Sequence, residues 1–284
     1  MAVTAPEPTP FLVPPASYGP FLAARGADIR IEYTEDAIPS PDEPAPIFDS
    51  GSVWQVHRRG VGLLYTFRTA VADPPLYKAL EIDAAFSRGR LYFPKPRRGR
   101  RPRWALAYPL DDLLFQHRLA REGAAEVHAF GVVLNGRTAL FCGQSGAGKS
   151  TLARLWRRHD PSAPILSDDR IVLRADGRGF LAHGTPWHGE ALFAAPLARP
   201  LGAVFFLKQA KATRVVPLGP AEAAGRLFAR TFPPPWEGPS VGRVLALSVR
   251  VAETVPCFEL RFRRDGSAVA AARAVLVDSP GGGR

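Results

Sequence analysis

The chain has 284 residues, 46% of them hydrophobic and 22% charged, with a formal net charge of +11. That length supports one large domain or two modest ones with a substantial core, and the composition is that of a soluble globular protein rather than a disordered or fibrous one. No apolar run approaches the ~18 residues of a membrane span, no basic residue before Arg25 starts a signal peptide, and the two cysteines, Cys142 and Cys257, make no disulfide framework, so two buried thiols and a cytoplasmic location are expected.

In chain order, residues 1–20 are rich in proline and are expected to be flexible. Strand-like runs follow at Asp28–Tyr33, Ser52–Arg58, Val61–Thr69, Tyr77–Ile82 and Arg90–Phe93, separated by turn residues such as Arg59-Gly60 and Asp73-Pro74-Pro75. Residues 21–121 therefore read as a β-rich, antiparallel region. Lys95–Arg103 carries six of the eleven net charges. This stretch lacks interleaved aromatics, which argues against a stacking platform for single strands. It reads as a solvated loop, a docking site for an acidic partner, or a nucleic-acid contact, the last being disfavoured. Pro109–Arg121 then reads as a helix, with proline in the first turn, Asp111 and Asp112 near its positive end, and Leu113, Leu114 and His117 on one side.

From Glu126 the pattern changes. Val127–Leu134, Asn135-Gly136 and Arg137–Cys142 form a hairpin signal, because Asn-Gly favours the type I′ turn. The second arm runs into Gly143-Gln144-Ser145-Gly146-Ala147-Gly148-Lys149-Ser150-Thr151, a phosphate-loop motif. Glycines allow backbone turns in which successive N–H groups converge on phosphate oxygens. Lys149 is expected to reach the β- and γ-phosphates of ATP, and the Ser150 hydroxyl to ligate Mg²⁺. Leu152, Leu155 and Trp156 repeat at helical spacing, so a helix should begin near Lys149 and aim its positive end at the same anion. Lysine is rare here, at Lys78, Lys95, Lys149, Lys208 and Lys211 only, so its presence in this slot is informative. Further strands are expected at Ile165–Asp169, Ile171–Arg174, Phe180–His183, Gly202–Leu207 and Val255–Phe262, and helices at 219–230, 239–252 and 266–276. The expected domain is 122–276, with 277–284 as a flexible tail.

Phosphoryl transfer needs Mg²⁺ ligands and a base near the acceptor hydroxyl. Asp168-Asp169 closes an apolar strand 19 residues after Lys149, where a metal-binding carboxylate is expected. Paired carboxylates beside Mg-ATP can divide the work between metal and proton. Thr185-Pro186-Trp187-His188-Gly189-Glu190 mixes small, aromatic and ionisable residues in an expected loop, where Glu190 is a candidate metal ligand and Trp187 and His188 are candidates for the acceptor side. Without cysteines nearby, zinc is disfavoured.

Together these residues resemble the C-terminal domain of HPr kinase/phosphorylase, whose phosphate-loop fold is related to phosphoenolpyruvate carboxykinase. In that family a histidine precedes the first loop glycine by 15 residues, as His128 precedes Gly143, and a strand ends in Asp-Asp, as Leu166-Ser167-Asp168-Asp169 does. The resemblance implies an α/β (α+β) phosphate-loop domain with a mixed sheet and flanking helices. It also implies Asp168 as proton acceptor, His128 assisting at the phosphate and Asp169 supporting magnesium. The chain departs from the family at Thr151, where glutamate is usual, and at 185–190, which replaces the family's Arg-Gly-Leu-Gly-type loop. The expected function is an ATP- and Mg²⁺-dependent kinase acting on a hydroxyl, foremost a serine of a peptide or small protein. The alternatives are a small-molecule alcohol kinase and a nucleotide-binding regulatory or scaffold protein without transfer. The assembly state is open, a homo-oligomer included.

Overall fold

The computed structural model describes residues 1–23, 26–69, 75–94, 104–177 and 179–278. The basic run 95–103, most of the 70–75 turn, Arg178 and the tail after 278 lie outside the described residues. The chain divides into two compact units, Met1–Phe115 and Gln116–Arg284. Both have a mixed sheet, and among the described residues no helix is long and apolar enough to cross a membrane.

The first unit is a seven-stranded sheet in the order β1-β2-β7-β6-β5-β4-β3. Its strands are β1 (Ala2–Thr4), β2 (Arg30–Thr34), β3 (Phe48–Asp49), β4 (Trp54–Arg59), β5 (Gly62–Arg68), β6 (Leu76–Ile82) and β7 (Arg88–Tyr92). The five strands read from sequence are present, but the sheet is not purely antiparallel, since β2 runs parallel to both β1 and β7. The N-terminal segment expected to be flexible supplies β1, and Phe11 beyond it is buried against Phe93. Proline spacing therefore concealed an edge strand and a packed aromatic ring.

Lys78 on β6 is 2% exposed, its Nζ donating to the Ala107 carbonyl at 3.1 Å and lying 4.7 Å from the centre of the Phe67 ring. Burial pushes its pKa down to about 7, against the pull of Asp111. A depressed ammonium binds fewer protons folded than unfolded between pH 7 and its ordinary value of 10.5. Its native-state penalty is therefore full below pH 7 and fades as pH rises through that window. Lys78→Met should raise stability by ~1–4 kcal/mol at pH 6, with the gain over wild type shrinking toward pH 10. Denaturant unfolding at several pH values measures it. A gain that does not change with pH contradicts a titrating Lys78.

The second unit holds β8 (Ala125–Leu134), β9 (Arg137–Cys142), β10 (Ile165–Ser167), β11 (Arg170–Ala175), β12 (Phe180–Gly184), β13 (Ala198–Gln209), β14 (Arg214–Pro217) and β15 (Cys257–Phe262). Its helices are α2 (Lys149–His159), α3 (Pro220–Phe228), α4 (Gly238–Thr254) and α5 (Gly266–Asp278), while α1 (Leu110–Arg121) crosses the unit boundary. β8 and β9 form the expected hairpin, with Asn135 and Gly136 both at positive φ (49° and 76°) as a type I′ turn requires. β9 is parallel to β13, and β13 to β15. The pairings β8–β9–β13–β12–β11–β8 close a ring, possible because β8 and β13 are long enough to pair different partners at their two ends.

Phe130, Phe141, Phe205 and Phe258 are register partners on β8, β9, β13 and β15, and their rings stack at 5.3, 4.9 and 5.4 Å. Each such pair contributes about 0.5–1.5 kcal/mol beyond its burial. Trp156 of α2 packs on Phe130 and Phe141, so the helix that follows the glycine loop is seated on the strand that precedes it. β14 went unread in the sequence, being four residues long, bearing arginine and ending in proline at the sheet edge.

Candidate functional site

The glycine loop joins the C-terminal end of β9 to α2. Gly148, the residue before the helix, has φ 107°, and a Cβ there would sit 2.8 Å from the Phe262 ring. A Cβ on Gly143 would meet the Ala147 side chain at 2.7 Å. Both glycines are thus required by backbone conformation and close approach. Cys142, immediately before the loop, is fully buried, and burial pushes its thiol up to about 12, so it serves as core and not as nucleophile.

Lys149 is 6% exposed, and its Nζ donates to the carbonyls of Gly143 (3.0 Å) and Gln144 (3.3 Å). Burial lowers its pKa, with Asp169 acting in the opposite direction. Among the described residues no carboxylate forms an ion pair with it. A sequestered ammonium at a helix N-terminus without a paired carboxylate is costly unless an anion is bound there. In this structure the carbonyls of Gly143 and Gln144 are what hold the ammonium. At the same rim Gln209, the last residue of β13, donates to the Gly146 carbonyl at 2.8 Å, and Arg264 donates to Gln209 Oε1 at 2.9 Å.

Asp168 and Asp169 interrupt a strand rather than end one. β10 and β11 both pair antiparallel with the same strand β8, and the Asp169 carbonyl keeps the ladder by accepting from Ala129 N–H at 3.0 Å. The two side chains have different fates. Asp168 is 1% exposed and its carboxylate accepts three backbone N–H bonds, from Gly189 (2.9 Å), Ala191 (2.9 Å) and Phe193 (3.1 Å). Both its oxygens are occupied in holding the 189–193 turn. The structure thus gives Asp168, expected as the proton acceptor, the geometry of an anchor for this turn.

Asp169 is the carboxylate that faces the loop lysine. Its Oδ1 lies 3.0 Å from His128 Nε2, and its Oδ2 lies 3.8 Å from Arg170 Nε. Burial raises its pKa, but the His128 hydrogen bond and the charges of Arg170, His128 and Lys149 outweigh that and leave it lowered. A carboxylate only accepts, so Nε2 of His128 carries the proton in this bond. Arg170 is itself fixed, with Nε 2.8 Å from the buried Glu126 carboxylate and its guanidinium 4.0 Å from the centre of the Phe232 ring.

The Thr185–Glu190 segment lies against this acidic turn. Ser167 Oγ donates to the Trp187 carbonyl (2.8 Å), Thr185 Oγ1 to the Arg170 carbonyl (2.8 Å), and His188 Nδ1 contacts the Gly189 carbonyl (3.2 Å). A Cβ on Gly189 would lie 2.7 Å from Asp168 Oδ2, so only glycine allows this approach. Glu190 does not join the site. Its side chain, expected as a metal ligand, is 87% exposed beside Arg154 of α2. Among the described residues no group of three or more His, Cys, Asp or Glu is arranged to hold a metal. Of the residues expected to hold magnesium, Ser150 opens α2 and Asp169 is paired with His128, a donor set of the small size that Mg²⁺ accepts from protein.

A family model described as SynChlorMet cassette protein ScmC matches residues 113–270, more than half of the chain. The chain belongs to the ScmC family. This overturns the reading of the sequence as a divergent HPr kinase/phosphorylase. The features behind that reading were a phosphate loop, a histidine 15 residues before it and a following acidic pair, short motifs that do not by themselves fix a family. The departures at Thr151 and at 185–190 were the better guide. No curated protein matches the chain.

In this ScmC-family chain, several residues of the site escaped sequence reading. Arg170, Gln209, Arg230, Phe232 and Arg264 stand in no motif, and only the fold brings them beside the loop. The one available signal was Arg170 following Asp168-Asp169 directly.

Proposed function

We propose that the Gln116–Arg284 unit binds Mg-ATP through Gly143, Gln144, Ser145, Gly146, Ala147, Gly148, Lys149, Ser150 and Thr151 and transfers the terminal phosphoryl group to a hydroxyl. The acceptor we favour is a serine of a peptide or small protein. The observation that carries this reading is the 3.0 Å His128–Asp169 pair next to the sequestered Lys149, because it supplies a proton acceptor that mere nucleotide binding does not need. The loop amides and Lys149 hold the phosphates. Ser150 and Asp169 would hold magnesium, which when bound neutralises phosphate charge. Asp169 orients His128 and steadies the imidazolium. The acceptor oxygen bonds to the γ-phosphorus, the bond to the β–γ bridging oxygen breaks, ADP leaves, and the hydroxyl proton passes to His128 Nδ1. Trp187 and His188, on the segment tied to Ser167, are proposed to flank the incoming hydroxyl.

The family is described as a cassette protein, which directs the search for an acceptor to the gene products encoded beside it. Purified protein incubated with γ-labelled Mg-ATP and those products should place label on one of them in an alkali-labile, acid-stable linkage, as serine phosphate gives. Binding of ATP without transfer to any of them, and without hydrolysis, would identify a nucleotide-binding regulatory protein instead.

A further inference from the structure

The segment after α3 folds back onto β8. Thr231 bridges to Val127, the Arg230 carbonyl accepts from His128 N–H at 2.8 Å, and the Phe232 ring supports the Arg170 guanidinium and lies 6.2 Å from the His128 ring. This return seats the Arg230 backbone on His128 of β8, from where its charge acts on both Lys149 and the Cys142 thiol.

The two guanidiniums near Lys149 are not equivalent. Arg170 is neutralised by Glu126 and stacked on Phe232. Arg230 has no carboxylate partner among the described residues. Its Nη1 donates only to the adjacent Ala229 carbonyl at 3.0 Å, and its Nε is shielded from solvent with no hydrogen-bond partner. Counting the cluster, Lys149, Arg170 and Arg230 stand against Asp169 and Glu126. The surplus cation is the one with unused donors. A half-buried guanidinium with a vacant N–H edge suits a planar, two-pronged contact with phosphate oxygens.

Resting on the proposed nucleotide site, we infer that Arg230 reads the terminal phosphoryl group and stabilises it during transfer, as an arginine finger supplied by the same chain. The terminal position follows from its neighbours. Arg230 is seated on His128, the side from which the proposed acceptor hydroxyl attacks, whereas the loop amides would cradle the inner phosphates.

The test uses the full chain and its Arg230→Ala, Arg230→Gln and Arg230→Lys variants, with Mg-ADP and Mg-ATP titrated separately by calorimetry. Arg230→Ala should keep ADP affinity within about two-fold, lose ~10-fold or more of the preference for ATP, and lower transfer or hydrolysis by roughly 10²–10³. Lysine should restore part of the ATP preference but little of the rate, because it lacks the fork. Added guanidinium should recover activity in Arg230→Ala and not in wild type, an effect that lost packing does not produce. Arg230→Gln preserves side-chain length and a donor, so a binding change there with an unaltered melting temperature is not misfolding. Wild type that discriminates ATP from ADP while Arg230→Ala and Arg230→Gln do so equally well overturns this inference alone. Wild type that binds neither nucleotide overturns the nucleotide reading and this inference with it.

Discussion

Lys149→Ala should abolish transfer and weaken Mg-ATP binding by at least ~10-fold while leaving the fold as stable as wild type or more so. The opposite signs are the point. In the free protein the Lys149 ammonium is 6% exposed, and its hydrogen-bond acceptors are the carbonyls of its own loop. Removing a desolvated charge without a carboxylate pair relieves a folding cost. A lysine kept for packing or for an internal ion pair would give the reverse, a loss of stability with no particular loss of binding. Lys149→Met, which fills the same volume, separates charge from cavity. Calorimetric titration with Mg-ATP alongside thermal unfolding checks both limbs. Equal affinity in wild type and variant would remove the loop from nucleotide binding altogether.

The features legible in sequence were those set by local backbone chemistry. Asn135-Gly136 demands a type I′ turn and so declared the β8–β9 hairpin, and Gly146 and Gly148 adopt the positive φ that the loop's spelling implied. The 3.6-residue repeat of Leu152, Leu155 and Trp156 declared α2. Long-range placement was not legible. β1 lies parallel to a strand whose partner residues are 28 positions away, in a segment punctuated by prolines. The bends that let β8 and β13 each serve different partners at their two ends leave no periodic mark. For the site the distinction is sharper. Asp168 and Asp169 are adjacent and chemically identical, and nothing in the string says which one is used up by the turn. Only the three amides of 189–193 closing on Asp168 decide it. Arg230 is likewise one arginine among many until the return of 229–232 to β8 seats it on His128.

Asp169→Asn and Asp168→Asn should therefore fail in different ways. In Asp169→Asn the amide can present its NH₂ to His128, which then turns its proton to the other nitrogen and loses the acceptor facing substrate. Transfer should fall by roughly 10²–10⁴ with Mg-ADP affinity within a few-fold and unfolding little changed. In Asp168→Asn one of the three N–H bonds meets an amide donor instead of an oxygen, in a site that is 1% exposed. The expected result is a loss of ~1–3 kcal/mol in stability, with activity falling only as the 185–193 turn loosens and recovering at lower temperature. His128→Gln should match Asp169→Asn in rate, and the double variant should cost no more than either single one, because the two act as a unit. Denaturant unfolding and single-turnover transfer, measured on the same preparations, resolve the two patterns. A rate loss confined to Asp168→Asn at full stability would return the proton to Asp168. A magnesium requirement that rises in step with the rate loss in Asp169→Asn would assign that loss to the carboxylate's hold on magnesium and not to the orienting of His128.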